Sequence, residues 1–377
     1  MKILVSGGHL TPALAFIDYV QMDHLSDELL FVGREYSRES DKQISRERVE
    51  VEARNVPFIA FDAEKSSSSL ATTILKMPRL LGSVFRALGI VAKEKPDVFL
   101  SFGGYVAVPF AIACWMQQIP VVTHEQTRAV GVSNQFIGRI AKKIAISFPD
   151  SKQFFPAHKT VVTGNLLRKQ LTKRLLQKPD WLDSNSELPL LYITGGSQGS
   201  EVINTTTSQI LPRLLKEWQV VHQCGADSDQ RSYHTELKRR KQQLTKPQQA
   251  RYWIREWLTE PELAWIYKHA TAVVSRSGAN TTQELAFHCV PSILIPLPFS
   301  HFQEQQLNAE ALAKTGGAII IQQKQLTVDT LLEALEQLKS KNNACRRKLK
   351  DSPIILDADK KVYTILTEVV PAREKKA

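Results

Sequence analysis

At 377 residues, with 43% hydrophobic and 23% charged side chains, the chain is long enough for two domains that each bury a core, and its proportions exclude a disordered or membrane-spanning class. No apolar run reaches the roughly 18 residues of a membrane-spanning helix, and the opening Met1–Val5 reads as a strand without a signal-peptide pattern, which predicts a cytoplasmic protein. A formal charge of +11 asks for a negatively charged partner, whether nucleic acid, anionic lipid or phosphorylated substrate; Cys114, Cys224, Cys289 and Cys345 are too scattered for a disulfide framework or a metal cluster.

Short β-branched runs alternate with longer helical patterns along most of the chain, the signature of parallel sheets built from βαβ units. In the first half the predicted strands are Lys2–Val5, Leu29–Gly33, Phe58–Phe61, Asp97–Phe102, Pro120–His124 and Lys143–Ser147, closed by Thr160–Gly164. Leu70–Lys95 interleaves apolar residues with Lys76, Arg79, Arg86, Lys93 and Lys95. This pattern suits either an anionic bilayer surface or an ordinary sheet-covering helix. The polar, turn-rich Gln177–Leu188 precedes a second alternation: Pro189–Thr194, Gln219–Gln223, Ala250–Ile254, Ala272–Ser275, Ser292–Pro296 and Ala318–Ile321. The predicted architecture is α/β with two Rossmann-like domains, residues 1–165 and 166–354, and a C-terminal helix over 355–377 packing back on the first.

Three glycine-containing turns lie between a predicted strand and a predicted helix, where free N–H groups and the helix dipole favour an anion. The first, Ser6-Gly-Gly-His9, sets an imidazole beside whatever Gly7 and Gly8 hold, as general base or phosphate ligand, although a capping histidine fits equally. The second, Thr194-Gly-Gly-Ser-Gln-Gly199, lets backbone approach a ligand but lacks the Lys-Ser/Thr ending of a Walker A loop. In the third, Ser275-Arg-Ser-Gly-Ala-Asn-Thr-Thr-Gln-Glu284, the turn suits a diphosphate, and Glu284 suits ribose hydroxyls or is simply a solvated helix residue. His124-Glu-Gln126 ends an apolar strand, where open α/β sheets bind ligands. The segment from His301 to Asn308 offers amides and a carboxylate for sugar hydroxyls, or is a capped surface helix.

In order and spacing, Gly-Gly-His, Phe-Gly-Gly-Tyr-Val, His-Glu-Gln, Gly-Asn-x-x-Arg, Gly-Gly-Ser-Gln-Gly, Arg-Ser-Gly-Ala and Gln-x-x-Asn-Ala resemble the MurG family, within the two-Rossmann-domain (GT-B) glycosyltransferases. The resemblance implies two parallel sheets facing a central cleft, a UDP-N-acetylglucosamine (UDP-GlcNAc) donor on the second domain, and lipid I, a polyprenyl-diphosphate-linked N-acetylmuramoyl peptide, on the first. Inverting transfer to the muramoyl 4-hydroxyl would give lipid II, without a metal or other cofactor, at the cytoplasmic face of the cell membrane. The enzyme would be peripheral there, with other cell-wall synthesis proteins as further partners and no nucleic acid. Arg168, Ser197, Gln198 and Asn204 would approach the diphosphate or uridine, and Leu258 the uracil. Arg276, Ala279, Asn280, Thr281 and Glu284 would line the nucleotide, and Glu304, Gln305 and Asn308 would face the sugar. Gly7, Gly8, Gly103, Gly104, Tyr105, Gln126, Thr127 and Asn134 would gather around the acceptor, with His9 first choice as base ahead of His124 and Glu125.

Two departures from the family pattern fall on the acceptor half. The first loop is shorter than the usual Gly-Gly-Thr-Gly-Gly-His, and Thr127-Arg128 stands where Asn-Gly is usual. A UDP-GlcNAc 2-epimerase or glycolipid synthase of the same fold, or a non-catalytic paralogue that only binds the nucleotide sugar, would keep the donor motifs.

Overall fold

The computed structural model describes residues 1–38, 41–62, 77–172, 176–183, 186–196, 198–227, 232–300, 303–351 and 357–371. Two compact units emerge, Met1–Lys169 with Ile355–Ala377, and Gln170–Ile354.

The first unit is built on a parallel seven-stranded sheet: β1 (Lys2–Ser6), β2 (Glu28–Gly33), β5 (Phe58–Ala60), β6 (Val98–Ser101), β7 (Val121–Glu125), β8 (Lys143–Ile146) and β9 (Thr160–Val162), in the order β5-β2-β1-β6-β7-β8-β9. Its strands read as continuous apolar runs because both faces are covered. Ile3 and Val5 point into one core with Phe16 and Ile17 of helix α1 (Leu10–Asp23), while Leu4 points into the other with Ala87 and Phe110. The last helix of the chain, Ala358–Val369, closes the first of these cores with Val362, Ile365 and Leu366. Each such buried side chain contributes roughly 1.5–3 kcal/mol, and the Tyr363 hydroxyl donates to Asp27 at 2.6 Å.

One departure from the alternation is the antiparallel ribbon β3 (Tyr36–Arg38) and β4 (Asp41–Ile44), followed by the short helix α2 (Arg46–Glu52). The next helix, α3 (Met77–Glu94), buries Ala87 and Val91 against the sheet. It therefore covers the sheet, yet Leu81 is 55% and Phe85 71% exposed on it. Leu70, Ile74, Leu75 and Lys76 of the amphipathic segment lie outside the described residues.

The second unit has a parallel sheet of β10 (Leu190–Thr194), β11 (Gln219–Gln223), β12 (Tyr252–Arg255), β13 (Ala272–Ser275), β14 (Ser292–Leu294) and β15 (Ala318–Ile320), in the order β12-β11-β10-β13-β14-β15. Leu191 and Ile193 face one core and Leu190 and Tyr192 the other. In both units the strand order reverses beside the first strand, between β1 and β6 and between β10 and β13. At such switch points the loops leave the sheet in opposite directions and open a crevice at its carboxyl edge.

Candidate active site

The first unit brings the Gly7–Gly8 and Gly103–Gly104 turns together at its switch point. A methyl on Gly8 would lie 2.3 Å from the Gly103 carbonyl carbon, and the two turns are joined by His9 N–H donating to the Phe102 carbonyl at 3.2 Å. Gly104, at φ +80°, holds a left-handed conformation that a side chain would strain. His9 immediately precedes α1 in an extended conformation and makes no side-chain capping bond. Burial pushes its imidazole below the ordinary histidine range, with the Glu125 carboxylate opposing the shift. Tyr105 lies one residue beyond the second turn, its ring 5.8 Å from the Arg34 guanidinium.

His124 and Glu125 close strand β7 with no exposed surface. The His124 Nε2 meets the Gly164 carbonyl at 3.2 Å, its Nδ1 has no partner, and burial pushes the ring down to about 4. Glu125 accepts four hydrogen bonds, from Thr127 N–H (2.9 Å), Thr127 Oγ1 (2.7 Å), Gly131 N–H (3.1 Å) and Asn134 Nδ2 (3.0 Å). Asn134 also accepts from Thr123 Oγ1 at 2.8 Å and lies against Gly103. Glu125, Thr127 and Asn134 thus form one network that shapes the loop after β7, while Gln126 keeps a buried, unpartnered Oε1.

In the second unit, Gly195–Gly199 links β10 to helix α6 (Glu201–Glu217). Gly199 has φ +71°, and a methyl on it would lie 2.0 Å from the Cys224 carbonyl oxygen. The loop is therefore packed backbone to backbone on Cys224–Gly225. Gln198 is exposed, and Ser197 lies outside the described residues. Asn204 is buried: its Nδ2 donates to the Cys224 carbonyl at 3.0 Å, and its Oδ1 faces His222 Nε2 at 2.9 Å. Arg276 reaches Ser200 Oγ, Gln323 Oε1 and the Ile295 carbonyl, tying the two turns at this switch point together.

Gly278 precedes helix α10 (Ala279–Phe287), which carries Ala279, Asn280 and Thr281 in its first turn and buried Glu284 in its second. Glu284 accepts from the Tyr267 hydroxyl at 3.3 Å. Ser277 Oγ donates to the Gln305 carbonyl at 2.7 Å, and Asn308 Nδ2 to the Ser277 carbonyl at 3.3 Å. The turn after β13 is thereby pinned to helix α11 (Glu304–Lys314), whose Glu304, Gln305 and Asn308 stand on its first two turns. Leu258 belongs to the hydrophobic core, and Arg168 is half-buried at the end of the first unit. His222 carries the Asn204 arrangement without having been singled out as a candidate, whereas Ser277 belongs to the third glycine-containing turn, read from sequence as suited to a diphosphate. The signal for His222 was a histidine inside an apolar strand.

Two doubly wound units, each with glycine turns at its switch point, are the two-Rossmann-domain (GT-B) architecture, and the family matches make the chain a glycosyltransferase of that type. Residues 6–146 match the glycosyltransferase family 28 N-terminal domain, and residues 190–365 the glycosyltransferase family 28 C-terminal domain. Among curated relatives, the UDP-N-acetylglucosamine–N-acetylmuramyl-(pentapeptide) pyrophosphoryl-undecaprenol N-acetylglucosamine transferase of Bacillus pumilus is 31% identical over 98% of this chain and 99% of its own length. Transferase 2 of the same name from Bacillus thuringiensis is 31% identical over 92% of each chain. The chain belongs to the MurG family. Acinetobacter baumannii MurG has the same fold, with a TM-score of 0.70 at 24% identity over 97% of this chain and 99% of that one. A Neisseria meningitidis UDP-GlcNAc 2-epimerase shares the fold at TM-score 0.64 and 12% identity, over 98% of this chain and all of that one.

Proposed function

We propose that this protein transfers N-acetylglucosamine from UDP-GlcNAc to the 4-hydroxyl of the muramoyl sugar of lipid I, giving lipid II, with inversion and without a metal. The observation that carries the reading is the pair of glycine turns at the first switch point with a half-buried, uncapped His9 beside them, in a chain whose curated relatives are named for this transfer.

The acceptor diphosphate sits on the Gly7–Gly8 and Gly103–Gly104 turns, where backbone N–H groups and the start of α1 favour an anion. Burial lowers the His9 imidazole from its ordinary range and so favours the neutral ring, whose nitrogen takes the proton from the 4-hydroxyl as that oxygen attacks the anomeric carbon. The bond from the anomeric carbon to the β-phosphate oxygen breaks, and UDP leaves with the electron pair. The helix starts after Gly199 and Gly278, together with Arg168, stabilise its charge, and Glu284 accepts hydrogen bonds from the ribose. Glu125 orders the acceptor loop through its four hydrogen bonds. Asn204 holds the donor loop from within the domain. The enzyme works at the cytoplasmic face of the membrane, where Leu81 and Phe85 enter the lipid surface beside the basic Arg86 and Lys93.

The test is transfer of labelled N-acetylglucosamine to a synthetic lipid I analogue with EDTA present. His9→Ala lowers kcat by roughly 10²–10⁴-fold, the usual contribution of a general base. Glu284→Ala raises the KM for UDP-GlcNAc. Tight UDP-GlcNAc binding without product on lipid I, or release of N-acetylmannosamine, refutes the proposal in favour of a binding paralogue or an epimerase.

A further inference from the structure

Helix α2 begins with Ser45 as its cap, which accepts from Arg48 N–H at 3.1 Å and donates its hydroxyl to the Arg34 carbonyl. This clamps the first turn of the helix to the chain leaving β2 and drives one side chain of that turn, Glu47, inward to 8% exposure. Its Oε2 accepts from Arg34 N–H at 3.0 Å. A methyl on Gly7 would lie 2.1 Å from its Oε1, and one on Gly33 2.6 Å from its Oε2. The carboxyl therefore fills the space that two absent side chains leave at the ends of neighbouring strands, beside the stacked rings of Phe31 and Phe58.

We infer that Glu47 is a positioning residue of the acceptor half-site: its carboxyl must hold a proton for the Gly7–Gly8 turn to bind an anionic diphosphate. The inference rests on the acceptor reading given above. The physical reason is contact. Gly7 is the residue against which the carboxyl packs, so an ionised Glu47 places a full negative charge directly behind a turn whose N–H groups attract an anion.

Burial among these apolar rings pushes the Glu47 carboxyl up to about 7, with the Arg34 N–H and charge pulling the other way. The other charged groups of the packed elements are engaged elsewhere. Asp18 of α1 pairs with Arg54, Arg46 pairs with Glu50, and Arg48 pairs with Glu35 and Glu52. Strand β5 contributes no titratable group, and burial lowers the imidazole of His9, after the turn, from its ordinary range.

The experiment is calorimetric binding of a soluble, short-chain polyprenyl-diphosphate-linked muramoyl peptide to the full-length protein and to Glu47→Gln, from about pH 6 to 9. UDP-GlcNAc binding, measured in parallel, is the internal control. In the wild type the acceptor Kd rises above pH 7, approaching tenfold per pH unit, the limit for one linked proton. The neutral amide holds the low-pH Kd throughout, and the UDP-GlcNAc Kd is the same in both proteins. An equal alkaline rise in Glu47→Gln overturns the inference, as does acceptor binding lost at every pH while UDP-GlcNAc binding is kept. An acceptor that binds neither protein overturns the acceptor reading itself, and this inference with it. Infrared titration of the wild type stands apart from the variant's folding: a buried carboxylic acid band must disappear with a midpoint near pH 7, and its absence refutes the proposal.

Discussion

Acid acts on the second unit through depressed imidazoles, His222 the most deeply buried of them. His222 lies on β11, one strand in from the edge of the six-stranded sheet, with no exposed surface, 2.9 Å from Asn204 Oδ1 on one side and 2.9 Å from the Tyr252 hydroxyl on the other. Asn204 already donates its amide N–H to the Cys224 carbonyl, so its Oδ1 accepts. Nε2 therefore carries the proton and Nδ1 accepts from Tyr252. A second proton on Nδ1 would take away the acceptor of the Tyr252 hydroxyl, and burial pushes the ring down to about 3.

The folded pKa lies below the unfolded value of about 6.5, so the unfolded chain binds a proton that the folded chain refuses. The stability from neutral His222 is full above the unfolded pKa and is lost as pH falls toward the folded one. One linked proton has a limiting slope of about 1.4 kcal/mol per pH unit, so roughly 3 kcal/mol disappears between pH 6.5 and 4. That is a large part of the 5–15 kcal/mol, or thereabouts, that holds a domain folded. Urea unfolding at a series of pH values, followed by tryptophan fluorescence, reads this unit, since all tryptophans but Trp115 belong to it. His222→Gln loses about 1–3 kcal/mol at pH 8 by disturbing the hydrogen-bond chain, but its stability falls less steeply below pH 6.5 than the wild type's. His288, pushed down to about 4 by burial in the same unit, titrates in both proteins and cancels from the comparison. Parallel slopes for the two proteins would refute the reasoning.

Two further substitutions test the half-sites. Gly199→Ala adds a methyl where the Cys224 carbonyl already lies, at φ +71°; the donor loop must move, and the KM for UDP-GlcNAc rises by on the order of 10²-fold. Gly196→Ala meets open space and carries only the left-handed strain, about 1–2 kcal/mol, so its milder effect is the control. Phe85→Glu with Leu81→Glu removes the apolar face of α3 exposed beside the sheet. Sedimentation with phosphatidylglycerol vesicles should fall several-fold while transfer to a detergent-solubilised acceptor is kept; unchanged sedimentation counts against membrane docking by this helix.

The strands were legible because both faces of a parallel sheet are buried, which makes Lys2–Ser6, Gln219–Gln223 and Ala272–Ser275 stand out as short apolar runs before glycine turns. The ribbon of Tyr36–Arg38 and Asp41–Ile44 was not, since these residues are mostly polar and follow no clean alternation. At the site, the glycine turns ahead of helix starts stood out in the sequence as candidate anion sites, because that signal lies in backbone geometry alone. What the polar side chains around those turns do was decided only by the tertiary structure. Glu125 reads in sequence only as a base candidate; the fold adds that Thr127, Gly131 and Asn134 donate to it. Glu47 reads as one more charge between Arg46 and Arg48 until packing sets it against Gly7 and Gly33. The physical reason is that the chemistry of a carboxylate or imidazole depends on its desolvation and hydrogen-bond partners, and these come from residues remote in the chain.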